Sequence, residues 1–361
     1  MIQESMLIVT AHPEFMDEAV GELKRFDKRL TLVDELAPGI ALCATPDVNI
    51  LMRLAAELPP IFARHLAPVQ AIIPLANNEQ DVSKLAVTIA SLPTFAYIER
   101  GQRFAVQTRV VQAEGNAVKR PYSSGHINKI LAEAIAEETG AIESIKKPQI
   151  VVSVLCTTEK AYIGISPAKD NLSDWPGGAR HFAQTPQQIS RAEFKLLEAL
   201  EFFGLTLPAT GRALDLGAAP GGWTRLLLEA GLQVVAVDPA NLDPRLKGHP
   251  RLEHYRGYAE DYLERAVKAH KKFDLLVNDM RMDARDAARL LGHASACLQR
   301  DGFVISVFKL PHATPDFHPV PILKQALNLL SKHYAIVQAR QLFHNRQEVT
   351  VVTAQPLPMR K

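Results

Sequence analysis

Cysteine is scarce in this chain: 361 residues contain three, Cys43, Cys156 and Cys297, far apart from one another. That count and spacing exclude a disulfide framework and a cysteine-based metal site, and fit reduced core thiols. Long apolar runs are missing too. No stretch reaches the roughly 20 residues that a bilayer-spanning helix needs, and no basic–apolar–small leader pattern opens the chain. A cytoplasmic protein without membrane attachment is therefore expected. Nor is there a surplus of one charge sign. Lys and Arg number 41 against 39 Asp and Glu, a net of +2, so any nucleic-acid surface must come from local clustering. No internal repeat and no low-complexity tract is found. What remains, 47% hydrophobic and 22% charged, is the composition of an ordinary globular protein, long enough for two or three domains.

The C-terminal half alternates short apolar runs with amphipathic helices. "RALDLG" (212–217), "QVVAVD" (233–238), "FDLLVND" (273–279) and "FVISVFKL" (303–310) read as strands of a mostly parallel, doubly covered sheet, which is an α/β, Rossmann-like plan. "YAIVQARQLF" and "EVTVVTAQ" have no helix between them and predict a closing hairpin at the sheet edge. The N-terminal half reads instead as two small α+β units. The polar, Pro- and Gly-rich "AKDNLSDWPGGARHFAQT" reads as a linker. The expected division is 1–78 and 79–167 for the α+β domains, 168–186 for the linker and 187–361 for the Rossmann-like domain.

Within the last domain, "LDLGAAPGGWTRLLLEAG" (214–231) is a buried strand, a glycine-rich turn and a helix start, the geometry that presents backbone N–H groups to a ligand. Gly217 and Gly222 have P-loop spacing, but Trp223 stands where the phosphate-binding lysine belongs. Ala219 and Pro220 interrupt a dinucleotide Gly-x-Gly-x-x-Gly. S-adenosylmethionine, which carries no phosphate, remains. Gly217, Gly221 and Gly222 allow backbone to approach its amino-acid and sulfonium end. Asp238, twenty-three residues after Asp215 and at the end of the next strand, can accept hydrogen bonds from ribose hydroxyls.

"DLGAAPGGWT" resembles the first motif of the FtsJ/RlmM type of ribosomal RNA ribose 2′-O-methyltransferases. The resemblance implies a Lys–Asp–Lys–Glu set, which falls on Lys195, Asp279, Lys309 and Glu348. Transfer to a 2′-hydroxyl requires a general base, and a lysine serves only with a lowered pKa, through burial or a second cation. By resemblance Lys309 is that base, Asp279 orients it or the ribose, Lys195 is the second cation, and Glu348 holds the lysines or the hydroxyl. Taken singly, Lys195 reads as a solvated helix lysine and Glu348 as a surface acid. Cofactor contacts are expected from Ser190, Gly217, Ala219, Pro220, Gly221, Gly222, Trp223, Asp238, Tyr258 and Asp279, and no metal site is expected. Ser190 with Glu193 also reads as a capping box. Tyr258 stands where the family has an acid near the adenine, with Glu260 and Asp261 just beyond.

Residues from about 81 to 167, through "GHINKILAEAI" and "KAYIGISP", resemble a THUMP domain, an RNA-binding module, and the preceding unit resembles its ferredoxin-like partner. Arg100, Arg103, Arg109, Lys119, Arg120, Lys129, Lys146 and Lys147 form local basic clusters suited to phosphates, with Glu137, Glu138 and Glu143 among them. The resemblance implies RNA rather than DNA as partner, most closely a cytidine of 23S rRNA. Other rRNA or tRNA positions are the enzymatic alternatives, and a silent RNA-binding or assembly factor is the non-enzymatic one. A base methyltransferase is disfavoured, since "NDMR" stands in place of an Asn/Asp-Pro-Pro-aromatic motif.

Overall fold

A computed structural model describes residues 5–111, 118–314 and 317–358, divided into two compact units, Met1–Arg180 and His181–Lys361. Among the described residues, no helix is long and apolar enough to cross a membrane.

The first unit begins β1 (Ser5–Thr10), α1 (Met16–Leu23), β2 (Thr31–Ala37), β3 (Ile40–Thr45), α2 (Val48–Glu57) and β4 (His65–Val69). Asp47 starts α2 by accepting the Ile50 N–H. The strands make an antiparallel sheet in the order β2-β3-β1-β4, the ferredoxin-like arrangement. Then come β5 (Ala71–Pro74), α3 (Gln80–Ser91), β6 (Arg103–Val110), α4 (Ser124–Thr139), β7 (Ile142–Glu143), β8 (Ile150–Cys156) and β9 (Lys160–Pro167), with sheet order β5-β9-β8-β6-β7. Ser123 caps α4, and Gly140, at φ 70°, ends it in the left-handed conformation that favours glycine. Ile8, Leu42 and Val69 of the first sheet pack with Leu155 and Tyr162 of the second.

Two boundaries differ from the expected ones. β5 precedes residue 78 yet pairs with β9 of the second sheet. The expected linker is in part bound structure. Gln107 donates to the Asp174 carbonyl at 2.6 Å and Thr10 to that of Gly177 at 2.9 Å, so 168–178 belong to the first unit. Composition signalled a chain without regular structure there, but not its hydrogen-bonded anchorage.

The second unit contains α5 (Glu193–Phe202), β10 (Arg212–Leu216), α6 (Gly222–Ala230), β11 (Gln233–Val237), β12 (Leu252–Tyr255), α7 (Ala259–Lys268), β13 (Phe273–Asn278), α8 (Ala284–Ala294), β14 (Leu298–Lys309), α9 (Val320–Leu330), β15 (Tyr334–Arg340) and β16 (Glu348–Pro356). Its sheet runs β12-β11-β10-β13-β14-β16-β15. The first five strands are parallel, and β16 lies antiparallel between β14 and β15. Leu196, Trp223, Leu227, Leu275, Val277, Ile305 and Val352 fill the core on one face. Strand order reverses between β10 and β13, which opens a crevice at their carboxyl ends, the usual ligand position in such sheets.

Candidate active site

Four charged side chains meet at that rim. Asp279 follows β13, Lys309 ends β14, and Glu348 begins β16 directly opposite Lys309 in the register. Lys195 comes from the first turn of α5. Lys309 Nζ lies 2.5 Å from Asp279 Oδ1 and 2.7 Å from Glu348 Oε1. Lys195 Nζ lies 3.3 Å from Asp279 Oδ1 and 2.7 Å from Glu348 Oε2, the latter an ion pair without hydrogen-bond alignment. Each lysine therefore faces both carboxylates. Fully buried Asn278 donates to Ser306 Oγ at 2.9 Å and accepts the Met280 N–H at 3.2 Å, which pins the peptide that carries Asp279.

The charge state of this cluster differs from the sequence expectation. Burial pushes the Lys309 ammonium down, but Asp279 and Glu348 outweigh burial and raise it above the ordinary lysine value. Burial likewise pushes Glu348 up, and Lys309 and Lys195 hold it below the ordinary glutamate value. A lowered lysine pKa was expected from burial and a second cation. Two carboxylates in direct contact with Lys309 reverse the sign.

The glycine turn leads from β10 into α6. Gly221, at φ 107°, sits at the N-cap of α6, a conformation that L side chains rarely adopt. A methyl group at Gly222 would lie 2.4 Å from Ser190 Oγ. Gly217 also has positive φ, and the Ala219–Pro220 peptide is cis. Asp238 joins the turn to the end of β11, accepting the Ala219 N–H at 3.1 Å and the Ala240 N–H at 2.8 Å. Its carboxylate is thereby aimed and retains acceptor capacity.

Trp223 and Tyr258 stand in settings that their sequence context did not foretell, and of the two expected roles of Ser190 the capping one is absent. Ser190 does not cap α5, whose N-cap is Ala192. Glu193 does reach back, accepting the Ile189 N–H at 2.7 Å and the Ser190 N–H at 3.4 Å, and it also pairs with Arg225 of α6. The Ser190 hydroxyl is buried beside Gly222 without a hydrogen-bond partner among the described residues, an orphan that a ligand carboxylate or amine would satisfy. Trp223 is 4% exposed, and its indole N–H donates to the Ala192 carbonyl at 2.6 Å. Its ring fastens α5 to α6 within the core, leaving only its backbone for a cofactor. Tyr258 is 67% exposed at the N-cap of α7. An orphan hydroxyl, a glycine-lined approach and an aimed carboxylate fit the amino-acid and ribose ends of S-adenosylmethionine.

Two positioning residues escaped the sequence reading. Asp215, buried on β10, accepts the Thr224 hydroxyl at 2.6 Å. Burial pushes it up to about 7 against that bond, with further help from Asp279 and Asp238. Glu198 lies one turn beyond Lys195. It accepts the backbone N–H groups of Phe343 at 2.7 Å and His344 at 2.9 Å and meets His344 Nδ1 at 2.7 Å. A buried acid beside an apolar helix stripe was the available signal. In the first unit, Arg100, Arg103, Lys119, Lys129, Lys146 and Lys147 are exposed. Arg120 is instead committed to Asn77 and the Thr157 carbonyl, and Arg109 is half-buried.

Residues 188–334 match the family described as FtsJ-like methyltransferase, and residues 76–166 match the THUMP domain. The second unit thus carries an FtsJ-like, S-adenosylmethionine-dependent methyltransferase domain, preceded in the chain by a THUMP domain. The chain is similar to proteins named ribosomal RNA large subunit methyltransferase M. The Halorhodospira halophila protein is 34% identical over 196 residues, spanning 53% of each chain. The Thauera aminoaromatica protein is 28% identical over 302 residues, 81% of this chain and 78% of that one. Among solved structures, TrmN from Thermus thermophilus aligns with 97% of this chain and 99% of its own at 18% identity and a TM-score of 0.39.

Proposed function

We propose that this chain is an RNA ribose 2′-O-methyltransferase acting on large-subunit (23S) ribosomal RNA, at a cytidine. The observation that carries the reading is the balanced cluster of Lys195, Asp279, Lys309 and Glu348 on the carboxyl rim of the sheet, beside the glycine turn. Bound S-adenosylmethionine supplies an electrophilic methyl on a sulfonium, whose positive charge lowers the proton affinity of a neighbouring lysine. Ser190, the backbone around Gly221 and Gly222, and Asp238 hold the cofactor. Asp279 and Glu348 keep Lys309 oriented, and a substrate hydroxyl that takes over one of these contacts weakens the hold on its ammonium. Lys309 gives up its proton to solvent, and the neutral amine then accepts the 2′-hydroxyl proton as the oxygen bonds to the methyl carbon and the methyl–sulfur bond breaks, leaving a neutral thioether and an ammonium between the same carboxylates. Lys195 neutralises the second carboxylate and keeps the site from accumulating negative charge. The exposed Arg and Lys residues of the THUMP domain follow RNA phosphates.

Ribose methylation mapped across large-subunit rRNA from cells with and without the gene tests this reading. One 2′-O-methyl mark should vanish on deletion, return with the wild-type gene and stay absent with Lys309→Ala. Unchanged ribose methylation in that rRNA would overturn it.

A further inference from the structure

Nothing in the four-group cluster is suited to hold a nucleobase, yet a ribose can be presented steadily only if its base is also held. Next to the cluster, the β15–β16 connection carries Phe343 and His344, and β16 begins four residues after His344 with Glu348 itself. Five rings gather around this connection. Phe182 stacks on Phe194 at 5.7 Å with 14° between planes and lies 5.5 Å from His344. Phe194 is 5.3 Å from His344, and His181 meets Phe343 edge-on at 4.8 Å. None of the five is in the buried core: His181 is exposed and the others are half-buried.

The same two elements position the rings and the chemical groups. Phe194 and Lys195 are consecutive on α5, and Glu198, one turn on, neighbours each of them along the helix surface. Lys195 reaches Asp279 and Glu348, while Glu198 grips the Phe343–His344 backbone and the His344 ring. Leu310, just after Lys309, donates its N–H to the Gln347 carbonyl at 2.8 Å, which brings the aromatic connection to the end of the strand that carries Lys309. Ring patch and acid–base cluster are therefore coupled through one helix and one strand pair.

We propose that this patch is the stacking surface for the base of the nucleotide whose ribose is methylated, with Phe182 as its principal positioning ring. The inference rests on the ribose 2′-O reading above. Aromatic faces are what single-stranded, splayed-out bases stack on, and their polar edges here, His181 and His344, suit a base rather than a lipid or an apolar peptide. Glu198 acts through the connection that it holds and is a positioning residue.

The test compares an rRNA fragment containing the mapped target with the same fragment made abasic at that nucleotide, its 2′-hydroxyl retained. Single-turnover methyl transfer is followed with the full-length protein and with Phe182→Ala and Phe182→Tyr. Removing the base should slow wild-type transfer about 10- to 100-fold, the usual worth of base stacking on an aromatic ring. Phe182→Ala should slow transfer to intact RNA by a similar factor and should lose nothing further on the abasic RNA, whereas Phe182→Tyr should restore it. Cofactor affinity by calorimetry should be the same in all three proteins. Wild-type transfer to the abasic RNA at the ordinary rate, or losses from base and ring that multiply, would overturn the proposal. If Phe182→Ala loses cofactor binding and is misfolded, the wild-type abasic comparison and Phe343→Ala decide by the same criteria. Failure of the underlying reading is recognised separately. Wild-type protein would then produce no alkali-resistant linkage in intact RNA, and the stacking proposal would fall with it.

Discussion

At the scale of single residues, Lys309 carries the most specific expectation. Because Asp279 and Glu348 hold it above the ordinary lysine value of 10.5, its neutral form is scarce at neutral pH. If that form takes the hydroxyl proton, single-turnover transfer should rise with pH between about pH 7 and 9. Lys309→Arg keeps the cation but has no accessible neutral form, so it should lose at least ~100-fold in rate with cofactor affinity retained. A flat profile together with an active arginine variant would move the base elsewhere. Asp215 yields a stability expectation. Its carboxyl lies at about 7 in the fold against an ordinary 3.8, so the stability linked to its protonation is fully present below 3.8 and lost as pH rises through about 7. Asp215→Asn removes that dependence and still accepts the Thr224 hydroxyl. Denaturation midpoints should therefore show the variant gaining on wild type between pH 4 and 8, by an amount on the order of a few kcal/mol. Parallel pH profiles for the two proteins would show that Asp215 is charged in the fold.

At the scale of elements, strand ends were legible because an apolar run that stops at a charge marks a rim. "LLVND" and "FVISVFKL" place Asp279 and Lys309 there, and "EVTVV" starts at Glu348. Three things were hidden, each decided by a partner distant in sequence. The sign of the Lys309 shift depends on contact with both Asp279 and Glu348, 30 and 39 residues away. The fate of Trp223 depends on the Ala192 carbonyl, 31 residues away. The role of Glu198 depends on a turn 145 residues on. Glu198→Ala should leave the Phe343 and His344 N–H groups without their acceptor, at a cost of about 1–3 kcal/mol for each that stays buried. The β15–β16 connection should loosen, lowering the transfer rate with RNA while cofactor affinity in calorimetry stays as in wild type. An undiminished rate would show that the connection holds its shape without Glu198.

For the whole molecule, the division at Arg180 separates the glycine turn and the charged cluster from the THUMP domain. A fragment from His181 to the C-terminus should bind S-adenosylmethionine but lose most RNA affinity. RNA binding by the full chain should weaken steeply with salt as phosphate contacts release counterions. Equal RNA affinity for fragment and full chain would assign the RNA surface to the methyltransferase domain instead. The two sheets of the first unit were readable as α+β from alternation, but the anchoring of 168–178 was not, since Gln107 and Thr10 bind backbone carbonyls that carry no side-chain signature.

The identity of the acceptor atom tests the account most directly. An rRNA fragment that carries a single 2′-deoxyribose at the mapped target keeps every phosphate and base, and so should bind like the unmodified fragment. With nothing for Lys309 to deprotonate, it should accept no methyl group from radiolabelled S-adenosylmethionine. The unmodified fragment should become resistant to alkaline cleavage at that one linkage. Methyl incorporation into the deoxy fragment at the ordinary rate would place the chemistry on the base and contradict the account.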